Sequence, residues 1–279
     1  MKSRAEINAF LKKEKKQFNF KFTFDLKRDL VYLDWIFNQF IKGEMTGLLE
    51  GKALLKAPDL EAADFLARQV RDEIKHARLY ANLRSRLRKQ NPDADFLKVP
   101  GFLSALVQPI SGRLWYEHCF LDKNIGEDWV LCLMLTLMNT MPEKRLVNTL
   151  ESIAVDEVTH IQFGRAQTQK ALNKSNFYRN YLMGLYSRNR WAMQLFYGMV
   201  LKHFHRKQRD DLARLTEQFF TQTMSMLDQR TEELLGRKLP RGFAAFGRAV
   251  FSQAIFTLRF FLTGWFRRAP ALERVTESA

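Results

Sequence analysis

Two of the five histidines, His76 and His160, follow a glutamate by three residues, and in both cases an aspartate precedes that glutamate. The segments read Asp72-Glu73-Ile74-Lys75-His76 and Asp156-Glu157-Val158-Thr159-His160. Two such pairs among five histidines are rarely produced by chance. Residues three apart on a helix share a face, so each Glu and His can reach one ion together. Both pairs fall on apolar stripes: Val70, Glu73, His76, Tyr80 in one segment and Ile153, Glu157, His160, Gly164 in the other. A bare carboxylate buried on such a stripe is costly, and a bound metal ion removes that cost.

Antiparallel helices place residues equidistant from their turn at the same height, which identifies two more acids. Pro58 marks one turn: Glu73 lies 15 residues after it and Glu44 lies 14 before it. Pro142 marks another: Glu157 lies 15 after it and Glu127 lies 15 before it. At about 1.5 Å per residue, the four carboxylates then share one layer. The rivals fit less well. Glu50 is six residues from Glu44, about 120° round the helix, and Glu117 would need a hairpin centred inside an unbroken apolar helix. Cys132 and Tyr80 read as core residues, although Tyr80 is one turn from His76. His203 and His205 read as solvated, and His118 is uninformative.

The elements that must carry these residues are helical throughout: an all-α fold, with four helices as two antiparallel hairpins and a long crossover, plus further C-terminal helices. Residues 1–27 read as a basic, aromatic N-terminal arm. Within it FNFKFTFDL (18–26) alternates Phe with other residues at period two, a strand pattern without an evident partner, and so an arm laid across helices. Its phenylalanines could equally touch a membrane or another subunit. Residues 28–175 hold the bundle. Its helices are expected at about 28–56, then from an Asp59 cap to Gln90, from Ser111 to Met141, and from Pro142 at the first helical position to Leu172. The stretch 91–110, with Pro92, Pro100, Gly101 and Pro109, is the crossover. Residues 176–279 form a basic, aromatic-rich extension with helices expected at 176–207, 210–235 and 243–267.

The chain has 279 residues and a formal net charge of +15. The middle, 29–175, is neutral, so the excess sits at the two ends. Such ends suit an anionic partner, whether a lipid surface or an acidic carrier protein, or else a solvated surface. No nucleic-acid recognition motif accompanies them. Cys119 and Cys132 form no CxxC pair that would hold a rubredoxin-like iron, and they fit a reducing cytoplasm. No secretory signal or obligate transmembrane span is read, and peripheral attachment through an interfacial helix stays open.

The set Glu44…Asp72-Glu73-x-x-His76…Glu127…Asp156-Glu157-x-x-His160 resembles the carboxylate-bridged di-iron proteins of the ferritin-like superfamily over about 28–172. In local wording, Lys42-Gly43-Glu44 and Asp156 to Gly164 look most like the aldehyde-deformylating oxygenases, and less like the rubrerythrins and demethoxyubiquinone hydroxylases. The resemblance implies Glu73 and Glu157 as bridging carboxylates, Glu44 and Glu127 as terminal ones, and one histidine per iron. It implies Asp72 and Asp156 as acids that orient the histidines. Two iron ions are the expected cofactor, with manganese or a mixed pair open, and O2 the co-substrate. The expected activity is an oxidase or oxygenase acting on a small apolar, lipid-like substrate beside the Leu131–Met138 wall, fed by a ferredoxin or reductase. A ferroxidase or a metal-stabilised non-catalytic bundle is the alternative, and an RNA-modifying hydroxylase a more distant one.

Overall fold

The computed structural model describes residues 3–47, 54–90, 114–198 and 209–266. The expected crossover (91–110), Glu50, His203 and His205 lie outside these residues. No strand occurs among them; the regular structure is helical.

Helix α1 (Arg4–Lys15) starts at a capping box: the Ser3 Oγ accepts the Glu6 N–H, and the Ser3 N–H donates to Glu6 Oε2 at 2.7 Å. The Phe-rich segment then forms an extended arm. Phe18 and Phe24 are buried, Phe20 and Phe22 half-buried, while Asn19, Lys21 and Thr23 face solvent. With no strand edge beside it, the arm bonds locally, Phe22 N–H to Phe20 O, and is tied to the core by Phe24 N–H to Thr140 O at 2.8 Å. Phe18 and Phe24 therefore pack inside this chain, not against an outside surface.

Helix α2 (Leu30–Gly47) buries Leu30, Leu33, Phe37 and Phe40 against α3 (Leu60–Gln90). Asp59 caps α3, accepting the Ala62 N–H at 2.8 Å. The two helices run antiparallel: Asp34 is clasped by Arg84 and Arg88, Phe40 stacks on Tyr80 with centroids 4.6 Å apart, and Glu44 meets His76.

Helix α4 is composite. It begins as Trp115–His118, widens to a π-helix over Cys119–Gly126, and returns to α-helix over Glu127–Thr140. The Asn124 side chain donates to Cys119 O, and the Glu127 N–H reaches back five residues to Asp122 O. Helix α5 (Lys144–Leu172) returns antiparallel. Pro142 is not its first residue, as the sequence suggested. Met141 is forced extended (φ −83°, ψ 131°), as the residue before a proline must be, and Glu143 is the N-cap. Close packing of α4 on α5 depends on Gly164, where an added Cβ would lie 2.2 Å from the Lys123 Cβ.

Three more helices follow among the described residues: α6 (Asn176–Phe196), α7 (Asp210–Leu235), ended by Gly236 at φ 63°, and α8 (Gly242–Phe266). α8 packs along α6, with the Ser252 Oγ donating to Tyr181 O. α7 lies on α4, where Trp129 meets Phe219 and Phe220 edge-on. A buried charge network crosses this contact: Arg230 of α7 bonds Asp128 of α4 and, at 2.7 Å, Glu14 of α1, while Arg165 of α5 also reaches Asp128. Part of the basic excess read as surface charge is thus internal, since Arg230 is buried. Among the described residues no helix is long and apolar enough to cross a membrane.

Candidate metal centre

Each of four helices contributes acids to one buried spot: Glu44 from α2, Glu73 and His76 from α3, Glu127 from α4, Glu157 and His160 from α5. Five of these six side chains are buried and Glu127 nearly so. Position follows from local sequence. Glu44 continues the Phe37–Phe40 stripe of α2, and Glu73 and Glu157 stand one turn before their histidines, on faces that also present Tyr80 and Ile153.

The geometry divides into two halves that share residues. Ligand atoms of Glu44, Glu73, His76 and Glu157 all lie within 4.8 Å of one another, and so do those of Glu73, Glu127 and His160. Glu157 spans the halves. Its Oε1 is 3.3 Å from His76 Nδ1 and its Oε2 is 3.5 Å from His160 Nδ1. Glu73, common to both groups, is 3.7 Å from His160 Nδ1 through Oε1. Glu44 Oε2 lies 3.6 Å from His76 Nδ1, and Glu127 Oε1 lies 4.0 Å from His160 Nδ1.

The outer nitrogens turn to aspartates, each on the opposite helix. His76 Nε2 is 3.1 Å from Asp156 Oδ2, and His160 Nε2 is 3.8 Å from Asp72 Oδ2. Asp156 also accepts from Lys75 at 2.9 Å. A proton held on Nε2 by an aspartate leaves the Nδ1 lone pair directed inward, which is how metal-binding histidines are commonly oriented.

Electrostatics express the crowding of acids. Burial, then the neighbouring Glu44, Glu127 and Glu157, push Glu73 well above the ordinary carboxyl range. Burial opposes a charged His76, but its hydrogen bond to Asp156 and the neighbouring Glu157 and Glu44 carboxylates prevail and lift it to about 12. Burial likewise opposes a charged His160, and Asp72 and Glu157 raise it nonetheless. Burial also works against an ionised Glu157, yet the neighbouring Glu127, His160 and His76 hold it well below its usual value.

Do these residues fit a metal pair? Glu44 Oε2, His76 Nδ1, Glu157 Oε2 and His160 Nδ1 are all buried and have no hydrogen-bond partner, although such atoms are normally satisfied. All four are inward-facing donor atoms of the types that bind divalent iron or manganese. The fit is good: a cation in each half would give partners to these four atoms at once.

Several residues near the centre escaped sequence reasoning. Gln69 Nε2 donates to Glu73 Oε1 and to Glu127 Oε1, both at 3.0 Å. Lys123, 1% exposed, donates to Glu127 Oε1 at 3.2 Å. A detectable signal existed, because Gln69 precedes Glu73, and Lys123 precedes Glu127, by four residues. His118 is buried, its Nδ1 2.6 Å from Asp122. Glu117 lies beyond the π-helix from Glu127 and accepts the Tyr181 hydroxyl at 2.7 Å. Tyr80 is fully buried, its hydroxyl donating to Met134 Sδ at 3.2 Å, and burial raises it well above the usual phenol range. Cys132 is a core residue, as expected, and burial likewise drives its thiol upward.

Comparison of the chain with known protein families, with curated proteins and with solved structures finds no match.

Proposed function

We propose that this chain is a ferritin-like, carboxylate-bridged di-metal oxidoreductase that uses O2 to oxidise an apolar organic substrate. The observation that carries the reading is the pair of unpartnered Nδ1 atoms facing unpartnered carboxylate oxygens of Glu44 and Glu157 in one buried layer. Glu44, Glu73, His76 and Glu157 would hold one ion, and Glu73, Glu127, His160 and Glu157 the other. Iron held by these residues would supply the oxygen-activating redox chemistry that an all-protein site lacks. Glu73 and Glu157 would link the ions. Asp156 and Asp72 hold the Nε2 protons, fixing the rings so that Nδ1 stays available. Gln69 keeps Glu73 and Glu127 at one height. Leu131, Met134, Leu135 and Met138, all buried, continue α4 beyond Glu127 as an apolar wall. An external electron donor of ferredoxin or reductase type would restore the ferrous state.

The test begins with metal-free protein loaded anaerobically with ferrous iron, followed by addition of oxygen together with long-chain aldehydes, fatty acids or isoprenoid lipids. Two irons per chain and an oxidised product that depends on Glu157 support the proposal. Iron oxidation and oxygen uptake without any organic product would leave a ferroxidase instead. Failure to bind two ions would reject both.

A further inference from the structure

The two halves of the centre hold matching ligands but not matching neighbours. In the α2–α3 half, Glu44 Oε2 has no hydrogen-bond donor. In the α4–α5 half, the corresponding Glu127 Oε1 already accepts from Lys123 and from Gln69, at 3.2 and 3.0 Å. Lys123 is buried as deeply as the ligands. A lysine so placed retains its charge only beside a compensating acid. The π-helix puts it there, as an i, i+4 pair with Glu127 at the point where the helix narrows again. Its stem packs on Gly164 of α5, whose lack of a side chain gives it room.

We infer that Lys123 makes the two cation sites unequal: a divalent ion enters the Glu44–Glu73–His76–Glu157 half first, and the Glu73–Glu127–His160 half takes a second more weakly. This rests on the di-metal reading above. The physical reason is that the second ion must share the Glu127 carboxylate with a resident ammonium, against like-charge repulsion in a buried setting, whereas the first meets a carboxylate oxygen with no donor. The expected gap in dissociation constants is about tenfold or more.

The experiment titrates cobalt(II) into metal-free full-length protein, followed by calorimetry and visible absorption, and repeats this with K123M, which keeps the packed stem and removes the charge. Wild type should fill in two resolved steps. K123M should tighten the second step about tenfold and leave the first alone. Equal sites in wild type, or an unchanged gap in a folded K123M, would overturn the inference while leaving two ions bound. Binding of no ion to wild type would overturn the di-metal reading itself. If K123M fails to fold, E44Q and E127Q decide: E44Q must weaken the tight step and E127Q the weak one, and the reverse order refutes the assignment.

A second inference rests on α8. Its residues Phe243, Phe246, Val250, Phe251 and Leu258 are all exposed, from 52% to 95%, on the side opposite buried Ser252. The helix contains no acidic residue, and Arg237, Lys238 and Arg241 stand exposed just before it. We propose that this face lies on an anionic lipid surface, apolar side down and cations among the headgroups. A second copy of the chain is disfavoured as occupant because each carries +15. Sedimentation with phosphatidylcholine vesicles, with and without phosphatidylserine, tests it. Wild type should bind the anionic vesicles, less so in high salt, and F243S/F246S/F251S should lose about tenfold or more at unchanged helix content. No binding to anionic vesicles, or a dimer that this triple substitution dissociates, would overturn it.

Discussion

Glu44 and Glu127 occupy corresponding places in the two halves of the centre, and their surroundings could hardly be less alike. Around Glu44, the principal neighbour of α2 among the described residues is α3, and Lys42, Gly43 and Met45 are exposed. Around Glu127, the chain from Leu121 to Ile125 is buried, and so is Asp128, which joins α4 to Arg165 and Arg230. Among the described residues α2 packs mainly on α3, whereas α4 also meets α1, α5 and α7. The donor types repeat between the halves. The scaffold does not repeat, because a helix needs only one covered stripe to fix a carboxylate. Enclosure is what permits a lysine to be buried on the α4 side.

The comparison can be broken most directly at the residue the halves share. E157A should reduce the metal content from two ions to one or none per chain, read by elemental analysis of folded protein, whereas E44Q should affect one half alone. Next in size is the bracing of α4. R230M leaves buried Glu14 without its partner and Asp128 with Arg165 alone, and should cost about 3–5 kcal/mol in urea unfolding. Metal-free protein should show the same loss, because none of Glu14, Asp128 and Arg230 is a ligand. The aspartates sharpen the contrast further. D156N should lower metal affinity about 10- to 100-fold in competition with a chromophoric chelator. D72N should cost less, since Asp72 stands 3.8 Å from its histidine against 3.1 Å for Asp156. The smallest effect belongs to Asp34, which holds α2 to α3. Burial would raise its carboxyl, but Arg88 and Arg84 outweigh that and hold it below the ordinary value. A depressed acid adds stability above its unfolded pKa and loses it as pH falls through the folded one. The advantage of wild type over D34N, about 1–2 kcal/mol, should therefore be complete above about pH 4 and vanish at lower pH in urea melts.

Much of this was legible beforehand, for identifiable reasons. Counting back from Pro142 located Glu127 because Glu127 to Thr140 is regular α-helix, in which one residue means one fixed rise. The same count would have failed beyond Gly126, where the π-helix changes that rise, so nothing in the spacing foretold where Glu117 or His118 would sit. The period-two phenylalanines gave the inward face of the arm, but period alone does not distinguish a paired strand from an extended arm. Arg230 was missed because its partners Asp128 and Glu14 are remote in sequence, and Lys123 and Gln69 for another reason. Polar residues four apart on a helix usually decorate its surface, and their burial here is decided by elements remote in sequence.

Glu14 and Arg230 are separated by 216 residues, and the contact between them joins the first helix to the last but one. During synthesis at about 5–20 residues per second, α1 must wait about ten to forty seconds for its counter-ion to be made. Until then the opening helix has an acid with no place to dock, and the Phe18–Phe24 arm has only part of its final lodging. The hairpins join neighbours close in sequence, whereas the shell around them is closed by long-range contacts, the kind whose loop closure slows folding.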